Sequence, residues 1–219
     1  MSRLKLAAAL LTGALAATCW WGWLMLDHSG QDAQALADAN GRQEEQIVSD
    51  TPAEPQVPLY LQTDERWGGL PYADADLATS GCGLTCAAMA WQYLSGKEWT
   101  PVQMLNAVGN DCVQEGQNYM PGFCSWMQSN NPSISYSVIY EDRDRALRDL
   151  GNGMLVFGAM EGRLHEGGRS YAGHVVLLTG IDGESATVHD PCEAYPVALT
   201  HDEFNAVSWD YFISVGRSE

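Results

Sequence analysis

Hydrophobic and polar positions divide the chain into three regimes. From Leu6 to Leu26 nearly every residue is apolar, broken only by Thr12, Gly13, Thr18 and Gly22. As a helix this run reaches roughly 30 Å, the thickness of a bilayer's hydrocarbon layer. From Asp27 onward the pattern vanishes into Gln, Ala, Asp, Glu and Pro, which bury too little apolar surface to offset their ordering entropy. Periodicity returns after residue 56. Leu84, Ala88, Trp91 and Leu94 recur at helical spacing within residues 82–95, and Gly96 stands where a C-terminal cap belongs. Thr100-Pro101 opens a second helix, Thr as cap and Pro at the first helical position. Glu141–Leu150 reads as a charged amphipathic helix ended by Gly151.

Then the period changes from helical to alternating or continuous. Met154–Met160, His174–Ile181, Ser185–Asp190 and Trp209–Val215 read as strands, with Asp182-Gly183 as a hairpin turn between two of them. A short helix is expected from Thr200. Helices followed by antiparallel strands predict an α+β fold. The expected organisation is an N-terminal membrane anchor or signal segment over 1–26, an acidic linker over 27–56, and one folded domain over 57–219.

The flanks of the first run give it a direction. Arg3 and Lys5 precede it, acidic residues follow it, and Trp20, Trp21 and Trp23 lie near its distal end. Positive charge inside and indoles at the interface predict a remainder outside the cytoplasm, tethered to the membrane. A signal peptide cut after Ala16 or Ala17, releasing a secreted protein, and lipidation at Cys19 are the rival readings, and both also export the chain. With only 11 Lys and Arg and a net charge of −17, the sequence lacks the basic footprint that nucleic acids require. Neutral or cationic partners suit it better.

Export changes the meaning of the cysteines. The folded part holds Cys82, Cys86, Cys112, Cys124 and Cys192. In an oxidising compartment four should pair and one stay free. Cys112–Cys124 closes a short loop and is the favoured bridge, with Cys86–Cys192 completing the set. No Cys-x-x-Cys pair exists, so neither a zinc site nor a cofactor is expected. Cys82, in Ser80-Gly81-Cys82-Gly83, is the thiol expected to stay free. Unsatisfied N–H groups and the dipole at a helix start stabilise a thiolate, and flanking glycines would let a substrate backbone approach.

Such a nucleophile needs a base. Among His28, His165, His174, His189 and His201, His174 alone opens an apolar strand, where a side chain can reach into a cleft. The expected hairpin returns Asp190 close to it, positioned to hold the imidazole tautomer. His189 should face the other side of the sheet.

Four motifs in this order resemble one family. They are Pro58-Leu59-Tyr60-Leu61-Gln62-Thr63-Asp64 with Trp67, then Ser80-Gly81-Cys82-Gly83-Leu84-Thr85, then Gly173-His174-Val175-Val176, then Val188-His189-Asp190-Pro191. The chain from about residue 57 to 215 is similar to the bacteriocin-processing-peptidase-like family, a branch of the papain-like cysteine peptidases. The resemblance implies a papain-like fold, with Cys82 as nucleophile, His174 as base, Asp190 as orienter and Gln62 as the oxyanion-hole amide. It implies cleavage of an amide or peptide bond through a thioester, in a peptide, a protein or a cell-wall peptide. Leu84 stands where many relatives have Pro, and no transporter accompanies the domain, so a leader-peptide substrate is not implied. A catalytically silent binding module of the same fold is the alternative from another class. Thiol exchange by Cys82 and Cys86 is a third.

Overall fold

The computed structural model describes residues 56–218. The segment 1–26, Cys19 within it, and residues 27–55 lie outside the described residues. Among the described residues no helix is long and apolar enough to cross a membrane.

Two short hairpins and six helices precede or interleave with a single antiparallel sheet among the described residues. In chain order the first elements are β1 (Pro71–Tyr72), β2 (Ala75–Asp76), α1 (Leu77–Ser80), α2 (Cys82–Ser95) and α3 (Pro101–Val108). Next come β3 (Val113–Gln114), β4 (Gln117–Asn118), α4 (Met120–Asn130), β5 (Ile134–Ile139) and α5 (Arg143–Gly151). The chain ends with β6 (Leu155–Arg163), β7 (Ser170–Asp182), β8 (Ser185–His189), β9 (Val197–Thr200), α6 (His201–Ala206) and β10 (Ser208–Arg217). Six strands form one sheet in the order β5-β10-β6-β7-β8-β9, every neighbour antiparallel.

Local chemistry accounts for most boundaries. Gly96 ends α2 in the left-handed region at φ 69°, its N–H bonding Gln92 O. Thr100 and Gln103 form a reciprocal capping box at α3, and Thr200 and Glu203 form another at α6. Gly183, at φ 60°, closes the β7–β8 hairpin between Asp182 and Ser185. Helix α5 starts two residues later than the apolar spacing suggested, because Asp142 serves as its cap and accepts from Arg145 N–H.

The continuous apolar run of β7 is explained by burial on both faces of the sheet. Val175 and Leu177 join the core shared with α2 and α4, with Leu84, Met89, Phe123, Phe157 and Ile213. Val176 and Leu178 point the other way, into a second core with Ala146, Leu150, Val188, Phe204 and Phe212. The second core, covered by α5 and α6, is the reason those helices lie across the sheet from α2. Strands β5 and β9, helix α4 and the two short hairpins were not anticipated. Strand β5 (ISYSVI) is only half-buried along its middle, so neither pure alternation nor a fully apolar run marks it.

The expected disulfides are a correction. All five cysteines in the described residues are free. Cys86 is fully buried and its thiol donates to Val175 O at 3.4 Å, which occupies it away from Cys192. Cys124 is fully buried in α4, and Cys112 packs beneath Gly122. Their burial suits small apolar residues.

Candidate active site

Helix α2 begins at Cys82 without a side-chain cap, since Gly81 occupies the cap position. The first-turn N–H groups and the positive end of the helix dipole are therefore directed at the half-buried thiol. The flanking glycines are there for packing. A Cβ on Gly81 would lie 2.5 Å from Leu77 O, and one on Gly83 would lie 2.5 Å from Asn118 Cβ and 2.7 Å from Met120 Sδ. Close approach of the chain's own helix and hairpin, more than of a substrate, excludes side chains at both positions.

Across a cleft of about 310 Å³ stands the start of the buried part of β7. Cys82, Asn118, His174, Asp210 and Tyr211 all line this cleft. His174 is 5% exposed and its Nε2–H donates to Asp190 Oδ1 at 2.8 Å, an acceptor that holds this tautomer. Asp190 is itself buried and also accepts from Cys192 N–H at 2.8 Å. The remaining imidazole nitrogen is left for Cys82, which lines the same cleft. Burial pulls the imidazole's pKa down, but the hydrogen bonds to Asp190 and Cys82 and their negative charge outweigh it, lifting His174 to about 9. Tyr171 stacks flat on the ring, centroids 3.9 Å apart and planes 7° off parallel, which fixes its rotation.

Asp190 arrives by a register that the turn alone does not set. The β7–β8 pairing shifts by one residue between Leu178 and Gly180, so Leu177 faces His189. His189 stays apart from the site, donating Nδ1–H to Pro58 O at 3.0 Å. Burial is the main reason its pKa falls, although the Pro58 bond opposes the fall.

Gln62 is buried and bridges two walls of the site. Its N–H donates to Pro191 O and its side-chain amide to Ala78 O, both at 2.8 Å. Its Oε1 has no hydrogen-bond partner among the described residues, and Gln62 is not among the residues lining the cleft. Asn118, which carried no sequence signal, does line it. Its Nδ2 donates to Ser80 O at 2.8 Å and to Cys82 Sγ at 3.5 Å, while Tyr72 O–H donates to its Oδ1 at 2.8 Å. Burial pushes the Tyr72 phenol up, which keeps it a donor.

The second thiol of α2 is chemically quiet. Burial, then the neighbouring charge of Cys82, pushes Cys86 well above the ordinary thiol range. A larger groove of about 520 Å³, between α5, α6 and the β7–β8 hairpin, holds His201 and Glu184 but no thiol.

Comparison with known proteins agrees with this architecture. The family described as "Peptidase_C39 like family" matches residues 54–216. A C39-like peptidase structure from Bacillus anthracis aligns at a TM-score of 0.50 and 18% identity, covering 74% of this chain and 96% of that one. At that identity the likeness is one of fold. A double glycine motif protease from an AMS/PCAT transporter, solved with its leader peptide, aligns at 0.44 and 14% identity, over 77% of this chain and 96% of its own. The peptidase domain of Streptococcus ComA aligns at 0.44 and 12%, over 64% and 93%. No curated protein matches the chain.

Proposed function

The chain belongs to the Peptidase_C39 like family, and on that premise we propose that it hydrolyses an amide or peptide bond with Cys82 as nucleophile. The observation that carries the reading is the buried His174–Asp190 contact of 2.8 Å, with Cys82 on the imidazole's other side at a helix start. In the reaction, Cys82 gives its proton to His174 and the thiolate attacks the carbonyl carbon. The Cys82 backbone N–H receives the oxyanion, the Gln62 amide hydrogen that Ala78 O does not take is the second donor once substrate draws it toward the cleft, and Asn118 Nδ2 lies beside the sulfur. His174 then protonates the leaving amine, and a thioester forms on Cys82. Water, deprotonated by His174, hydrolyses the thioester to a carboxylate and restores the thiol. Asp190 keeps the imidazole in the productive tautomer throughout. Peptides, proteins and cell-wall peptides all present the required bond.

The domain is proposed to act outside the cytoplasm, anchored by residues 6–26 or released from them, a reading supported by the basic flank and apolar run of the sequence. Protease accessibility on intact cells tests it, and a fully protected domain would overturn it.

A silent binding module finds support in one observation: Gln62 spends an amide N–H on Ala78 O and does not line the cleft. Alkylation of the full chain across pH, with His174→Ala in parallel and sites located by mass spectrometry, separates the two. A hydrolase requires Cys82 to react fastest well below an ordinary thiol's pKa of about 8.5, and to slow in the variant. Equal, slow labelling of Cys82 in both proteins favours the binding module.

A further inference from the structure

His174 stands between two thiols. Cys82 occupies one side of the imidazole, and the proposed hydrolysis uses it. Cys192 lies beyond the other side, and the reaction gives it no task. The imidazole nitrogen, an Asp190 carboxylate oxygen and Cys192 Sγ lie within 4.8 Å of one another. His174 and Asp190 are buried and Cys192 is half-buried. The fold explains the meeting: Cys192 follows the end of β8, the strand that pairs with the β7 strand carrying His174. We propose that His174 Nε2, Asp190 and Cys192 form a binding site for Zn²⁺ or a similar thiophilic divalent cation.

The donor set is one nitrogen, one carboxylate oxygen and one sulfur, a combination that suits zinc better than magnesium or calcium. A tetrahedral zinc with these bond lengths separates its ligand atoms by roughly 3.4–3.6 Å. The His174–Asp190 contact must therefore open by about 0.6 Å, a side-chain movement. The supports that orient zinc ligands are already present. Tyr171 clamps the imidazole plane, and Cys192 N–H holds the Asp190 oxygen. The Tyr171 hydroxyl is buried close to Cys192 and has no hydrogen-bond partner among the described residues, so it is free to bind a ligand water.

Binding displaces two protons to solvent, one from Nε2 and one from the Cys192 thiol. An imidazole coordinated through Nε2 carries its last proton on Nδ1. Giving that proton to a leaving amine would leave an imidazolate, so the acid step stops. This consequence rests on the proposed hydrolysis, whereas the site itself does not. The cation is then a reversible inhibitor that leaves Cys82 unligated.

The test uses the full chain, stripped of metal, carrying Cys82→Ser so that activity plays no part. One equivalent of Co²⁺ should give a near-ultraviolet thiolate-to-cobalt charge-transfer band that Zn²⁺ bleaches. Adding Cys192→Ser should remove the band and weaken Zn²⁺ binding by about 10–100-fold or more. In the unsubstituted chain, where misfolding of a variant cannot intervene, Zn²⁺ should slow alkylation of Cys192 at least tenfold. No band in Cys82→Ser, a band that survives Cys192→Ser, or alkylation of Cys192 indifferent to Zn²⁺ each overturns the site. A silent Cys82 with an intact cobalt band would sink the hydrolase reading alone.

Discussion

The first and second turns of α2 each carry a cysteine, four residues apart on one helical face, and their environments have almost nothing in common. Cys82 sits at the uncapped helix start, half-exposed to a cleft, with a histidine and an asparagine against its sulfur. Cys86, one turn deeper, is fully buried and donates to a strand carbonyl. The same side chain becomes a candidate nucleophile in one place and a core residue in the other. The difference teaches that a thiol's chemistry here comes from the helix end and from its neighbours, not from the helix that bears it.

Substitution at each position breaks the comparison in opposite ways. Cys82→Ser should lower hydrolysis on the order of 10⁴-fold with little loss of stability, read in a turnover assay beside a urea melt. Cys86→Ala should do the reverse: turnover within a few-fold of the parent and a stability loss of about 1 kcal/mol from the lost sulfur. A large activity loss in Cys86→Ala would mean that the two turns are not separable. Asp190→Asn is expected to cost about 10²–10³-fold in turnover, since the amide can present the wrong atom to Nε2–H. Unchanged turnover there would remove Asp190 from the mechanism.

The histidine sharpens the contrast through pH. Its folded pKa of about 9 lies above the ordinary 6.5, so its contribution to stability is complete below pH 6.5 and is lost as pH rises toward and through 9. Between those values the unsubstituted chain should lose stability that His174→Gln does not lose, read in urea melts across pH. Parallel stability curves for the two proteins would contradict the assignment. A gentler perturbation, Gly83→Ala, should push Asn118 and Met120 aside at a cost of about 1–3 kcal/mol. It should also slow alkylation of Cys82 without touching Cys86.

Much of the site is legible in the chain because its parts are local. A thiol just after a glycine cap, a histidine opening an apolar strand, and a hairpin turn followed by Asp-Pro can each be read within ten residues. The contacts that refine the site are remote in sequence. Asn118 meets Cys82 across 36 residues through a two-residue strand that no pattern announces. Tyr171 precedes His174 by only three residues, yet its stacking on the ring depends on a rotamer and a register. The expected bridges failed for a related reason, because loop length says which cysteines could meet and nothing about which are held elsewhere by the core.

Sequence alone determined the α+β order of elements, the helix caps and the hairpin at Gly183, and it put forward the thiol, imidazole and carboxylate of the proposed site, since these depend on periodicity and on backbone preferences within a turn or two. Tertiary structure decided that Gly81 and Gly83 answer to packing, that Gln62 binds Ala78 O, and that Asn118 and Cys192 flank the two ends of the Cys82–His174–Asp190 line. Those outcomes depend on the one-residue shift in the β7–β8 ladder and on how α2 packs against the sheet, and only close packing of distant segments sets either.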